Sequence, residues 1–241
     1  MLPAVIISDL LLTGIISGGL HLDRTAAFQF LISRPIVASV ITGLALSEPA
    51  VGLGAGLVLE LLWLGIHPLG TSVPPDDTVV AIVVPAGVIL AGRSVEAIVL
   101  DEPTAVLALA ILLALPLALL GKWIDIGLRK LNGRFLKAAR EGAKDGDTKK
   151  VGRQIVKSIF AIFFAFTIFT VVGTYLLTII IFVLYPKLGV NVLSALKLVY
   201  FTIPFFGVVG ILDNLRDKKI FKFVAAFGAT YLILILIGGV I

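Results

Sequence analysis

Glu60 stands inside an apolar run, "GLVLELLWLGI" from Gly56 to Ile66, and the run then breaks into "HPLGTSVPPDD", residues 67–77. An ionised side chain at mid-membrane costs about 2.5–3.5 kcal/mol on insertion scales. A chain tolerates that cost when the group faces a polar cavity or a partner. Glu60 therefore reads either as a carboxylate turned toward a ligand or as an acceptor between helices, with Arg34 or Arg93 as its donor. The break carries a related constraint. At membrane depth, irregular backbone survives only where protein buries it or where it lines a watery cavity. Pro68, Pro74 and Pro75 leave backbone groups free there, and Thr71, Ser72, Asp76 and Asp77 add polar side chains. Carboxylates beside free backbone groups, in a pocket open to water, suit a molecule with many hydroxyls, because each carboxylate oxygen accepts hydroxyl protons. Asp76 reads equally as a hydroxyl ligand and as part of a loop. Asp77, directly before an apolar run, reads as a helix N-cap. His67 reads as a loop histidine, with substrate contact as its alternative role.

Further polar residues lie in "DRTAAFQFLISRP", from Asp23 to Pro35. Asp23 and Arg24 read as solvated charges at the membrane interface. Gln29, between Phe28 and Phe30, reads as more buried; an amide among aromatics fits a sugar site and fits an interfacial pattern equally well. Arg93 and Glu96 have the spacing of a helical i, i+3 pair. Trp63 and Trp123 read as interface anchors. The chemistry that is missing narrows the choice. The chain has no cysteine and two histidines, which excludes thiol catalysis, disulfides and thiolate metal sites. It has no phosphate-binding G-x-x-x-x-G-K-S/T, no G-x-S-x-G and no Ser/His/Asp set. Its expected class is a non-enzyme without cofactor or metal.

The elements that position these residues are membrane helices. Of 241 residues, 59% are hydrophobic, against roughly 45–50% apolar in soluble domains. Mean hydropathy is +1.12. Apolar runs of about 18 residues, long enough to cross a bilayer as helix, recur along the chain. The expected fold is an all-α polytopic membrane protein, with interrupted or re-entrant segments in its first half and an amphipathic cytoplasmic segment in its middle. Three regions follow: a transmembrane half over 1–121 that carries the substrate site, the basic segment 122–157, and a C-terminal transmembrane half over 158–241. Helices are expected near 3–20, 36–46, 49–65, 79–92 and 100–121, the last kinked at Pro116. Ser47-Glu48-Pro49 reads as a helix start. "LSEPAVGLG" and "LDEPTAVLA" echo each other, as a repeat or as two similar helix starts.

Of the 20 Lys and Arg, 11 lie between Lys122 and Lys157 and four more in "RDKKIFK", Arg216–Lys222. Basic residues gather in cytoplasmic loops; an acidic cytoplasmic partner is the alternative reason. Ile124, Leu128, Leu131, Phe135 and Leu136 fall at helical spacing among the basic residues, as in an amphipathic helix lying on the membrane surface. Spans are expected over 155–185, 198–212 and 223–241, with "PKLGVNVLSALK" an exposed loop. Two spans then separate the two basic stretches, so both are cytoplasmic.

The stretch "SRPIVASVITGLALSEPAVGLGAGLVLELLWLGIHPLGTSVPPDD" resembles the enzyme IIC component of the mannose/fructose/sorbose family of the bacterial sugar phosphotransferase system. Arg34-Pro35, Leu59-Glu60-Leu61, Leu64-Gly65, Leu69-Gly70 and Pro75-Asp76 stand where that family carries its motifs. The resemblance is close over about residues 1–125 and loose afterwards. It implies a sugar channel subunit of the bacterial inner membrane. It also implies an IID membrane partner, and IIA and IIB cytoplasmic proteins that carry the phosphate. It places the family's glutamate on Glu60 and its P-x-D aspartate on Asp76, with Gln29 a weaker candidate; from the break itself, His67 and Thr71 join them as candidate substrate contacts. Two positions depart from the pattern. Gly56-Leu57-Val58 replaces Gly-Gly-Thr, and Pro68 replaces a residue that is often Asn. These departures keep in view a sugar sensor that does not transport, and the buried carboxylate keeps in view a proton-coupled carrier.

Overall fold

The computed structural model describes residues 7–27, 29–66, 72–94, 98, 103–215, 222, 225 and 228–230. Among these residues the chain forms seven α-helices: α1 (Ile7–Thr25), α2 (Pro35–Ala45), α3 (Pro49–Trp63), α4 (Asp77–Gly92), α5 (Thr104–Lys144), α6 (Thr148–Leu184) and α7 (Val190–Leu215). Three helical stretches, Thr104–Lys144, Thr148–Lys187 and Val190–Gly210, are long and apolar enough to cross a membrane. α2, α3 and α4 are apolar but shorter, as interrupted segments should be. The expected span 223–241 lies almost wholly outside the described residues.

α4 is the axis of the fold. Every residue from Thr78 to Ala91 is buried, because the helix is apolar on all sides and packs against α1, α2, α3, α5 and α6. Pro85 sits in its interior. A proline supplies no N–H, so the carbonyl of Ala81 loses its helical donor. Ser39 of α2 donates its hydroxyl to that carbonyl at 2.7 Å. α2 lies close against α3 because Gly43 and Gly52 face each other: a Cβ on Gly52 would lie 2.5 Å from the Ser39 carbonyl oxygen.

The helix starts follow the sequence in part. Pro35 and Pro49 open α2 and α3, where a missing N–H does no harm. Ser47 does not cap α3; it turns the chain between α2 and α3 with φ +64°, and no side-chain cap bond forms at Glu48. Asp76, not Asp77, is the N-cap of α4: its carboxylate accepts from Val79 N at 3.1 Å, and Asp77 is the first helical residue.

The middle of the chain departs from expectation. Residues 122–144 are not a separate helix on the membrane surface; they continue α5 without a break. At 1.5 Å per residue, 41 residues reach about 60 Å, roughly twice the hydrocarbon thickness. α5 and the start of α6 pack as an antiparallel hairpin. Gly146, at φ +70°, makes the turn, and Asp147 caps α6 by accepting from Lys150 N at 2.9 Å. α7 already begins at Val190, so the exposed loop foreseen before it shrinks to a 3-10 turn, Tyr185–Lys187, and two further residues. Trp63 is buried in the core rather than anchored at an interface, whereas Trp123 is exposed.

The Ser39 contact yields a test. Ser39→Ala is expected to cost about 1–3 kcal/mol, the desolvation penalty of an unpaired carbonyl, read as a lower unfolding temperature of the detergent-purified protein. In a Pro85→Ala background α4 supplies its own donor, and the same substitution should lose most of its effect. Equal losses in both backgrounds would mean that Ser39 does not serve that carbonyl.

Candidate functional site

Asp23, Arg24, Arg34, Glu60, Asp76 and Asp77 gather at one end of the bundle, the end that carries the α5–α6 hairpin. Asp76 N donates to the carbonyl of Ala118 at 2.9 Å, which sets the start of α4 level with the last apolar turn of α5. Arg24, in the last turn of α1, reaches the same level. Its Nη1 donates to Asp76 Oδ1 at 3.1 Å, to Thr78 Oγ1 at 2.9 Å and to Asp77 Oδ1; its Nη2 donates to the Pro75 carbonyl at 3.3 Å. One guanidinium thus holds both carboxylates at the start of α4. Arg24 and Asp23 are not the solvated interface charges that their flanking sequence suggests.

His21, one turn before Arg24, completes the cluster. Its ring stacks on Phe166 with centroids 3.6 Å apart. Nδ1 donates to the Ser17 carbonyl at 2.7 Å, and Nε2 lies 3.2 and 3.3 Å from the two oxygens of Asp76. Both ring nitrogens face acceptors, the Ser17 carbonyl and the Asp76 carboxylate. Asp76 is 3% exposed; every face of it is taken by protein.

Asp23 organises the loop from α1 to α2. It accepts from Phe30 N at 2.6 Å and from Ser33 N at 3.2 Å. Leu31, between these donors, sits at φ +64° and Gln29, just before them, at φ +55°, a left-handed geometry that costs energy in a residue with a Cβ. The two bonds to Asp23 hold it. The loop is tied to α4 in turn, because Thr78 Oγ1 donates to the Ser33 carbonyl at 3.0 Å. Gln29 is exposed rather than buried.

Glu60 lies in the last turn of α3 and meets Arg34, the residue before α2. Arg34 Nε donates to Glu60 Oε1 at 2.9 Å, its Nη2 bonds the same oxygen, and Ile36 N donates to Oε2 at 3.3 Å. The carboxylate thus sits at the N-terminus of α2, where the helix dipole favours an anion. This pair is more open than Asp76: the Glu60 side chain is 18% exposed and Arg34 42%. Among the described residues Oε2 takes one hydrogen bond, from Ile36 N. His67 and Thr71 lie outside the described residues. Glu96 does too; its expected partner Arg93 instead donates to Asp9 Oδ2 and to the Leu46 carbonyl, both at 2.6 Å, at the opposite end of the bundle.

The structure therefore brings Glu60 and Asp76 to the same end of the bundle but gives each its own arginine. The sequence reading missed His21 and Arg24. A signal for them existed: Thr13, Gly14, Ser17, Gly18, His21 and Arg24 recur at helical spacing, a small and polar stripe on one helix face. That stripe packs on α6, where Ser17 Oγ lies 2.6 Å from Thr170 Oγ1.

Comparison with known proteins bears on what this arrangement serves. The profile of the family described as "PTS system sorbose-specific iic component" matches residues 7–240. The mannose-specific EIIC component of Escherichia coli K12 is 29% identical over 132 residues, 55% of this chain and 45% of that protein. The sorbose-specific EIIC component of Klebsiella pneumoniae is 28% identical over 117 residues, 48% of this chain and 40% of that protein. The matched part thus spans under half the length of these curated relatives. Two solved structures share the fold at 22% identity. One is a membrane protein with TM-score 0.71, covering 98% of this chain and 94% of that one. The other is the mannose transporter ManYZ in complex with microcin E492, with TM-score 0.60, covering 95% and 87%.

The arginine clamp can be tested by a double-mutant cycle. Arg24→Met leaves two adjacent carboxylates without their counter-charge and should cost about 3–5 kcal/mol. Adding Asp77→Asn removes one stranded charge and should restore part of the loss. Strictly additive losses in thermal unfolding would count against the clamp.

Proposed function

The chain belongs to the family of sorbose-specific IIC components of the phosphotransferase system, and from that premise we propose that it is the sugar-translocating membrane subunit of such a system. The protein is multi-pass and lies in the bacterial inner membrane. In this reading it passes a hexose or amino sugar inward alongside an IID subunit, and IIA and IIB proteins phosphorylate the sugar in the cytoplasm. The chain itself then moves sugar and transfers no phosphate.

The observation that carries this reading is the half-open Glu60–Arg34 pair. A carboxylate fixed by a guanidinium and a helix N-terminus is oriented before a ligand arrives, so a sugar hydroxyl can donate to it without reordering the side chain. Arg34, which donates through Nε and Nη2, has further N–H groups to offer a second hydroxyl. Asp76 has a different part in this reading. It is closed on every side and acts by fixing the start of α4 and the 72–76 segment, so it positions the site. Gln29, His67 and Thr71 remain further candidates for sugar contact.

Glu60→Gln keeps the shape of the side chain but loses the charge that Arg34 and Ile36 N address. With partner proteins present, it is expected to lower sugar uptake by about tenfold or more, the equivalent of one charged hydrogen bond, while the protein still inserts and assembles. Normal uptake by this variant would remove Glu60 from the site.

One observation favours a second reading, a proton-coupled carrier: His21 Nε2 lies 3.2 Å from the buried Asp76 carboxylate inside the bundle. Uptake that persists without phosphotransfer proteins, and collapses on addition of a protonophore, would support that alternative.

A further inference from the structure

Beside the Arg24 clamp, on the hairpin side, lies a cavity of about 540 Å³. Its walls are the end of α1 with Gln29, the first cytoplasmic turns of α5, and the start of α6. That volume falls in the range of small-molecule sites, roughly 300–1,000 Å³. Among the described residues, Gln29, Asn132, Gln154 and Ser158 make no side-chain hydrogen bond, and Asn132 Oδ1 is fully buried with no partner. Buried amide oxygens are normally satisfied. Asp125 gives one oxygen, Oδ2, to Arg129 Nε and Nη2, both at 3.1 Å, and is 14% exposed. Its other oxygen takes no hydrogen bond from the described residues.

Both guanidinium groups in the walls are paired with carboxylates. Arg129 is paired with Asp125, and Arg24 with Asp76 and Asp77. What remains is three carboxamides and a hydroxyl, groups that donate and accept in equal measure. An anion would call for donors alone and a cation for acceptors alone. A compound whose own groups both donate and accept, without net charge, satisfies these walls, and Phe135 and Leu128 supply an apolar side for its carbon face.

We propose that this cavity is a second binding site, a cytoplasmic chamber that holds an unphosphorylated sugar after it has passed the level of Glu60. The identification of the ligand as a sugar rests on the transport function proposed above; the polarity of the chamber does not. The location suits an exit. The chamber opens where α5 leaves the membrane-length apolar stretch and the basic residues begin, and the Arg24 clamp forms the wall between it and the α4 start.

The chain has no cysteine, so Ser158→Cys introduces a single reactive thiol in the chamber wall. The full-length protein is reconstituted with this substitution, and the rate of maleimide labelling from the hairpin side is measured with and without D-mannose or L-sorbose. Glycine betaine, an osmolyte without hydroxyls, serves as control. One of the sugars is expected to slow labelling several-fold, and Asn132→Leu is expected to abolish that protection. Gln154→Cys gives a second thiol if the first variant is poorly folded. Labelling that neither sugar changes at either position would overturn the chamber and leave a merely water-filled cleft. The same measurement in a Glu60→Gln background separates the two proposals. Protection that survives there supports an independent chamber, whatever uptake does. Protection lost there but retained with Asn132→Leu would assign the effect to Glu60 and overturn the chamber. Normal uptake with Glu60→Gln would instead strike the transport site and leave the labelling result standing.

Discussion

A charge in a low-dielectric interior has to be neutralised within a few ångströms, and in this protein one guanidinium does that for the part of the chain on which the rest is built. Arg24 lies against Asp76, Asp77 and Thr78 at the start of α4. Removing the guanidinium would leave two neighbouring carboxylates in a place that water barely reaches, so the three groups are stable only together. The clamp fixes the end of α1 to the start of α4. Thr78 then carries the tie to the 29–34 loop, and Arg34 carries it on to Glu60 and α3. The first four helices are locked at one end by a chain of polar contacts, each of which meets a need left by the one before.

The interior obeys the same accounting for backbone groups. α4 is buried on every side, and Pro85 breaks its hydrogen-bond ladder where no water is at hand. Ser39 answers from α2, and the closeness of α2 that this contact requires depends on Gly43 and Gly52 having no side chains. A proline in one helix, a serine in a second and glycines between the second and third are thus parts of one arrangement. None of them contributes a chemical group to a ligand. They hold rigid the scaffold on which the polar end is mounted, and rigid elements hold polar groups in place more accurately than loops do.

The two carboxylates that the motifs bring forward differ in the way that matters for function. Asp76 is saturated by His21, Arg24 and the α4 backbone. Glu60 is held on one side and open on the other. A closed ion pair serves architecture, whereas a half-open one is fixed before a ligand arrives and can still bind it. The cavity by the hairpin stands in the same relation to its surroundings, with guanidinium groups paired and amides left over. The proposed path for a sugar therefore runs along groups whose hydrogen-bonding capacity the fold has not used up.

Much of this protein follows from its residues taken in order. Composition and apolar run lengths determine a polytopic helical membrane protein, because no other backbone arrangement of such a chain satisfies its own amides in lipid. The motifs around Arg34, Glu60 and Asp76 determine the family, and prolines mark where α2 and α3 begin. Which partner each charge takes was decided only by tertiary structure. The run of charged residues 122–144 has an amphipathic pattern that fits a helix on a membrane surface and a helix in a hairpin equally well; packing against α6 chose the hairpin. Asp23 and Arg24 look like surface charges because their sequence neighbours are polar, yet Asp23 is buried with bonds to the loop that follows it and Arg24 is half-buried against the start of α4. Their partners lie up to 54 residues away, and pairing over that distance depends on how helices pack, which one-dimensional spacing does not encode. The stripe from Thr13 to Arg24 showed that one face of α1 is polar. Only the fold showed that most of that face meets α6 and that its last members, His21 and Arg24, meet Asp76 and Asp77.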